Sequence, residues 1–219
     1  MDIIDELQAR VLGCLIEKQI TTPDYYPMTL NALVNACNQK SNRHPVMSID
    51  ERTIVRALDV LREKQLACRI TSDEFRVPKY EHWLTQRYAF SPQQVAVLCE
   101  LMLRGPQTAG ELRGHASRMQ EMDMAATEQA LELLKTMEGG PFVMKLPRAP
   151  GQKEPRFLQL FCGAPDLEAL HAGPLDERAV VEVREENERI QNLENRVEEL
   201  SQALEDLRNR FEAFVAQFQ

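Results

Sequence analysis

The chain has 219 residues, 43% apolar and 6% aromatic, with a formal net charge of -8, which is long enough for one large or two small cores and too apolar for a disordered chain. Its acidic start, MDIIDELQARVLGCLIEK, lacks the basic opening and unbroken apolar run of an export signal, and no window approaches the roughly 20 apolar residues of a membrane span. A cytoplasmic protein with no membrane association is therefore expected.

The elements can be read in chain order. Val11-Leu12 and Leu15-Ile16, at helical spacing, predict a first helix; Thr29 and Leu33 mark a second; Ser48 with Glu51 has the form of a capping box opening a third, which carries Ala57-Leu58 and Leu61. The apolar runs LACRIT and FRVPKY, separated by SDE, predict a hairpin. The stretch YEHWLTQRYAF, residues 80 to 90, is aromatic rather than rich in Gly, Ser or Pro, so it is expected to pack rather than swing, with Trp83 in the core.

The order then repeats. Val97-Leu98 and Leu101-Met102, Thr108 and Leu112, and Ala130-Leu131 and Leu134 echo the first three helices at offsets of 86, 79 and 73 residues. Ser91-Pro92-Gln93-Gln94 and Thr108 with Glu111 supply capping boxes, Gly139-Gly140 reads as a helix stop, and FVMKL, PRAPGQKEP and RFLQLF predict a second hairpin. Three helices followed by a hairpin is the winged-helix plan. The expected fold is mainly α with small β-hairpin wings: tandem winged-helix domains over 1–80 and 91–162, an aromatic linker over 81–90 and a second linker over 163–174. Two helical bundles with irregular tails are the competing plan.

Beyond Pro174 a heptad pattern begins. Val183, Ile190, Val197, Leu204, Phe211 and Phe218 take a positions, and Leu193, Leu200, Leu207 and Phe214 take d positions, with Glu186 as the polar exception. Residues 175–219 are expected to form a coiled-coil helix that pairs two copies of the chain into a homodimer, through Val183, Ile190, Leu193, Val197, Leu200, Leu204, Leu207, Phe211 and Phe214. Folding of this helix back onto its own domains is the alternative.

The stretches TTPDYYPMTLNALVNACNQKSNRHPVM, ELRGHASRM and GGPFVMKL resemble the YceH-like family of uncharacterised bacterial proteins, over residues 5 to 162. The resemblance implies a tandem winged-helix fold and carries no assigned activity.

Winged helices most often bind DNA through the third helix. With Leu58 facing the core, a turn of about 100° per residue sends Arg52, Arg56, Asp59 and Glu63 outward. The candidate duplex-DNA surface is Lys40, Ser41, Asn42 and Arg43 before that helix, Arg52, Thr53 and Arg56 on it, and Arg76 and Lys79 on the wing, where guanidinium forks and ammonium groups suit guanine edges and phosphates. The matching face of the second copy, Ala125, Gln129, Glu132 and Thr136, has no cation. The charge is also divided by segment: 12 basic and 12 acidic residues in 1–90, 8 and 10 in 91–174, and 6 and 12 in 175–219, so a DNA surface would be a local patch. A protein-binding adaptor that docks another protein on the same surfaces, without DNA, is the alternative function. No enzyme is expected, because no nucleophile elbow, phosphate-cradling loop or HExxH motif is present. The five scattered cysteines and four separated histidines suggest no metal and no cofactor.

Overall fold

In this computed structural model, which describes residues 2–72, 75–148 and 152–165, every helix of eight or more residues opens on a side-chain cap. Helix α1 (Glu6–Thr21) starts from Asp5, whose carboxylate accepts the Gln8 N–H at 2.7 Å while the Gln8 side chain accepts the Asp5 N–H at 3.2 Å. It is followed by β1 (Met28–Thr29), α2 (Leu30–Cys37) capped by Thr29, and α3 (Glu51–Glu63) capped by Asp50. Strands β2 (Ala67–Ile70) and β3 (Lys79–His82) make the first hairpin, and α4 (Leu84–Arg87) is a single turn after it. The second set is α5 (Pro92–Arg104) capped by Ser91, α6 (Ala109–Ala116) capped by Thr108, α7 (Met124–Thr136) capped by Asp123, and the strands β4 (Val143–Lys145) and β5 (Phe157–Gln159).

The caps carry the internal repeat. Asp5 and Ser91, Thr29 and Thr108, and Asp50 and Asp123 are 86, 79 and 73 residues apart, the offsets read from the apolar pattern. The sheets repeat as well. The first has the order β1-β3-β2, with Met28 opposite Tyr80 and Ala67 opposite His82. In the second, β4 pairs with β5, and Gln107, which lies 79 residues after Met28, bridges to Phe157 on the other edge of β5. The protein is thus mainly helical with small antiparallel sheets.

Three local expectations are corrected. Helix α3 opens at Asp50, not Ser48: the Asp50 carboxylate accepts the Thr53 N–H at 2.7 Å, and a charged cap gains from the helix dipole where a hydroxyl does not. Strand β3 starts after Pro78, which has no N–H to give the ladder, and it runs on into the expected linker as far as His82. Trp83 is half-exposed rather than core, with its indole N–H donated to Glu81 at 2.9 Å. The rest of that linker does pack: Tyr88 and Phe90 stack with ring centroids 5.3 Å apart, and both meet Phe142 edge-on.

Residues Met1–Ala164 form one unit with a continuous apolar core, and Pro165–Gln219 form another. Helices α1 and α5 run through the middle of the first unit, buried on all sides over 9–17 and 94–103. They approach most closely at Gly13, where a Cβ would lie 3.0 Å from the Leu103 side chain, and the Cys99 thiol donates to the Gly13 carbonyl oxygen at 3.3 Å. Gly13 and Cys99 are equivalent positions of the two repeats. Apart from Pro165, the second unit, with the expected coiled coil and its residues Val183 to Phe214, lies outside the described residues. Among the described residues no helix is long and apolar enough to cross a membrane.

Candidate functional site

The candidate surface divides by burial. Lys40, Ser41 and Asn42 are exposed on the turn that leaves α2, and Arg52 and Arg56 are exposed on α3, whose opposite side buries Ile54, Ala57, Leu58 and Leu61. Neither arginine makes a salt bridge among the described residues; Asp59, three residues after Arg56, pairs instead with Arg62 at 3.1 Å. Thr53 is tied to Asp50 through its N–H. On the hairpin, Arg76 is exposed, and Lys79 holds its ammonium 4.3 Å from the centre of the Phe75 ring. The outward positions of α7, Ala125, Gln129, Glu132 and Thr136, are exposed as expected, and Glu132 is occupied by Lys135 at 2.6 Å.

Arg43 leaves the candidate set. It is 5% exposed, and its guanidinium is consumed inside the protein: it grips both Glu17 oxygens, at 2.5 and 3.2 Å, and donates to Ala36 O, Asn42 O and the Gln39 side chain. With its side chain 0% exposed, Arg43 cannot be reached by a phosphate. Asn42 is also engaged, accepting from Arg104 of α5 through its side-chain oxygen.

These contacts belong to a polar joint between the repeats that motif reading missed. Glu17 on α1 and Glu100 on α5 have side chains 1% and 0% exposed. Arg118, on the turn after α6, bridges them at 2.5 Å to Glu17 and 2.7 Å to Glu100; Arg104 adds a second contact to Glu100 at 2.9 Å, and Lys18 is a third cationic neighbour of Glu17, after Arg43 and Arg118, at 3.3 Å. Burial pushes the Glu17 carboxyl up, but the Arg43 and Arg118 guanidinium groups outweigh it and hold it down at about 2. Arg10, 1% exposed, stitches the same region to the backbone, donating to Pro45 O at 2.7 Å and more weakly to Cys37 O and Leu103 O. The long α2–α3 loop is thereby fastened to α5, and His44 N–H also donates to Leu103 O at 2.9 Å.

A second buried polar group supports the first hairpin. His82 is 1% exposed; its Nδ1 accepts the Leu84 N–H at 3.3 Å, so the proton sits on Nε2 and is donated to Gln19 at 2.7 Å. Burial lowers its pKa to about 4. The unfolded imidazole takes up its proton near pH 6.5 and the folded one does not until about 4, so stability present above 6.5 is lost as the pH falls through that window. The expected loss is about 3 kcal/mol. Urea unfolding from pH 7 to 4 should show it, and a His82→Gln variant should flatten that part of the profile; an equal slope in the variant would contradict the assignment.

Cys14, Cys37 and Cys99 are buried thiols, while Cys68 and Cys162 are half-buried, and all five are free. No group of three His, Cys, Asp or Glu side chains able to hold a metal ion occurs among the described residues. The arrangement offers exposed cations on a helix face and a buried ionic joint behind them.

A family described as a protein of unknown function, DUF480, matches residues 4–152. Among curated proteins, the chain is 50% identical over 218 residues to a UPF0502 protein of Geobacter sulfurreducens, covering 96% of this chain and 99% of that one. It is 55% identical over 170 residues to a UPF0502 protein of Citrifermentans bemidjiense, covering 77% and 78%, and 46% identical over 210 residues to one of Cronobacter sakazakii, covering 92% and 94%.

Proposed function

Because the chain belongs to the DUF480 family, which is the YceH-like family that its motifs resemble and has no assigned activity, we propose from its surfaces that it is a non-enzymatic, cytoplasmic DNA-binding protein that acts as a homodimer. Each repeat is read as a winged helix. Support for this comes from the shared order of three helices and a hairpin, with the segment between the first two helices paired to the second strand of the hairpin in each repeat, as strand β1 in the first and as a single bridge at Gln107 in the second. The helix α3 is then the one that enters the major groove, and the β2–β3 hairpin the wing that meets the backbone. The observation that carries the reading is the outward pair Arg52 and Arg56, exposed and without a salt bridge among the described residues, on a helix whose other side is core. Lys40, Arg76 and Lys79 would meet phosphates. The homodimer rests on the heptad pattern from Val183 to Phe214.

The test is binding of the full chain to labelled mixed-sequence duplex over a range of salt. With three to five phosphate contacts, log K should fall against log salt with a slope of about -2.7 to -4.5. Absence of salt-dependent binding even at low ionic strength would remove the proposal. One observation favours a second reading for the second repeat: the exposed face of α7 bears Glu128 and Glu132 and one paired lysine, which suits docking of another protein better than duplex. A chain that shows no affinity for duplex but retains a protein partner bound at α7 would make the adaptor the better description.

A further inference from the structure

The polar joint between the repeats is not charge-neutral. Among the described residues, Lys18, Arg43, Arg104 and Arg118 surround only two carboxylates, Glu17 and Glu100, which leaves two positive charges in excess there. The excess lies toward the surface. The side chains of Glu17, Arg43 and Glu100 are sealed, whereas those of Arg104 and Arg118 are 22% and 28% exposed. Arg104 gives its Nε to Glu100 and its Nη2 to the uncharged side chain of Asn42, and its Nη1 makes no hydrogen bond among the described residues.

A half-buried imidazole stands beside these two arginines. Gln107 donates its amide to Glu100 O and Gly105 O, so its side-chain oxygen accepts, and His115 must present Nδ1–H to it at 2.6 Å. The His115 Nε2 is then a lone pair with no partner among the described residues. Burial first, and the Arg104 charge second, hold the His115 pKa below its ordinary value, with Glu100 and Glu111 pulling the other way and Arg118 adding to the fall.

We propose that this joint is a phosphate-binding site, in which Arg104 donates its Nη1 to a phosphate oxygen, the charge of Arg118 supports the anion from behind and His115 lies at its edge. An excess of two positive charges matches a phosphate dianion, and the partly exposed Arg104 supplies the direct donor, because the nitrogens of Arg118 are all taken by Glu17 and Glu100. Arg104, Arg118 and His115 belong to the second repeat, and the first repeat positions the arginines through Asn42 and Glu17. The phosphate can come from the backbone of bound duplex, in which case the proposal rests on the DNA reading, or from a free phosphorylated ligand.

The experiment follows the His115 ring protons of the full chain by NMR, assigned with a His115→Gln variant. Inorganic phosphate should raise the His115 pKa by about one unit at saturation, while chloride of equal ionic strength should not. Asn42→Asp provides the discriminating variant. Asn42 is exposed with φ of 58°, a conformation aspartate also adopts, so the fold is kept while a carboxylate is placed against Arg104 and uses up part of the excess. Phosphate affinity in that variant should fall about tenfold.

A duplex that moves the His115 pKa in the same direction would assign the phosphate to the nucleic-acid backbone. Response to inorganic phosphate alone would assign it to a free ligand. Retention of the inorganic phosphate response in an Arg52→Ala, Arg56→Ala variant, or in a chain that proves not to bind duplex, would show the site standing while the DNA reading falls. No shift of His115 in phosphate, or an affinity unchanged in Asn42→Asp, would overturn the proposal.

Discussion

Replacing Glu17 with alanine is expected to remove about 3–5 kcal/mol of stability, because it strands the Arg43 guanidinium without its carboxylate in a place where water cannot replace it. The Arg43 side chain is 0% exposed; burial works against its charge, and the hydrogen bond to Glu17 together with neighbouring charges, Glu17 among them, outweighs it and keeps the guanidinium charged. Arg118 loses a partner in the same substitution but keeps Glu100 and its partial contact with solvent, so most of the loss is assigned to Arg43. Denaturant unfolding measures the effect directly, and pH provides an independent check. The Glu17 carboxyl is held at about 2 against an ordinary 4.5, so its contribution is complete above pH 4.5 and is lost as the pH falls toward 2. That window lies below the one expected for His82, and the two should appear as separate steps in acid. A Glu17→Ala loss under about 1 kcal/mol would mean that Arg43 finds water or another partner, contrary to its burial.

The second large effect is on DNA. Arg52→Ala with Arg56→Ala is expected to cost about 1–3 kcal/mol for each arginine that no longer grips a base edge, which for the pair is a fall of roughly 30-fold or more in affinity, and to relax sequence preference. Both side chains are exposed and make no salt bridge among the described residues, so the fold should be unchanged, which far-UV circular dichroism and thermal unfolding can check. Lys40→Ala, by contrast, should weaken binding to every sequence alike and flatten the salt slope by about one. Changing Gln129 and Glu132 on α7 should leave duplex affinity where it was. Equal losses from the α3 and α7 variants would point to a general electrostatic effect and not to a reading helix.

Much of the fold was legible because local chemistry and global position agree. Ser91 and Thr108 cap the helices that they were read as capping, and the three offsets of the repeat reappear in the cap positions. Burial alternates on α3 as the helical period predicts, which is why the sequence alone could place Arg52 and Arg56 outward. The candidate surface was less legible at Arg43. Sequence spacing puts Lys40 and Arg43 on one basic stretch, but Arg43 is turned inward by a carboxylate 26 residues earlier, and no local rule sees that pair. A signal did exist. Glu17 and Glu100 each sit within helices whose apolar residues occupy every side, and a carboxylate in such a run has to be matched by a buried cation. The same all-round apolarity of α1 and α5 indicates that each is covered by more than its own repeat, which the division into two separate domains did not anticipate.

The meeting of Gly13 with Cys99 has a consequence for assembly. When like positions of two homologous halves touch, the halves are arranged as the subunits of a symmetric dimer, each offering the same patch to the other. Here one polypeptide contains both halves, so their association is intramolecular and does not weaken on dilution. Such a covalent pseudo-dimer is also free of the constraint that binds a true one, in which any substitution appears on both sides at once. The face of α3 can keep Arg52 and Arg56 while the face of α7 carries Gln129 and Glu132, and one half can specialise without disabling the other. If each repeat is a winged helix, α3 reads DNA as proposed and the heptad segment joins two chains, the assembly would hold four winged helices but two reading helices, and its target would be a pair of half-sites, one for each chain.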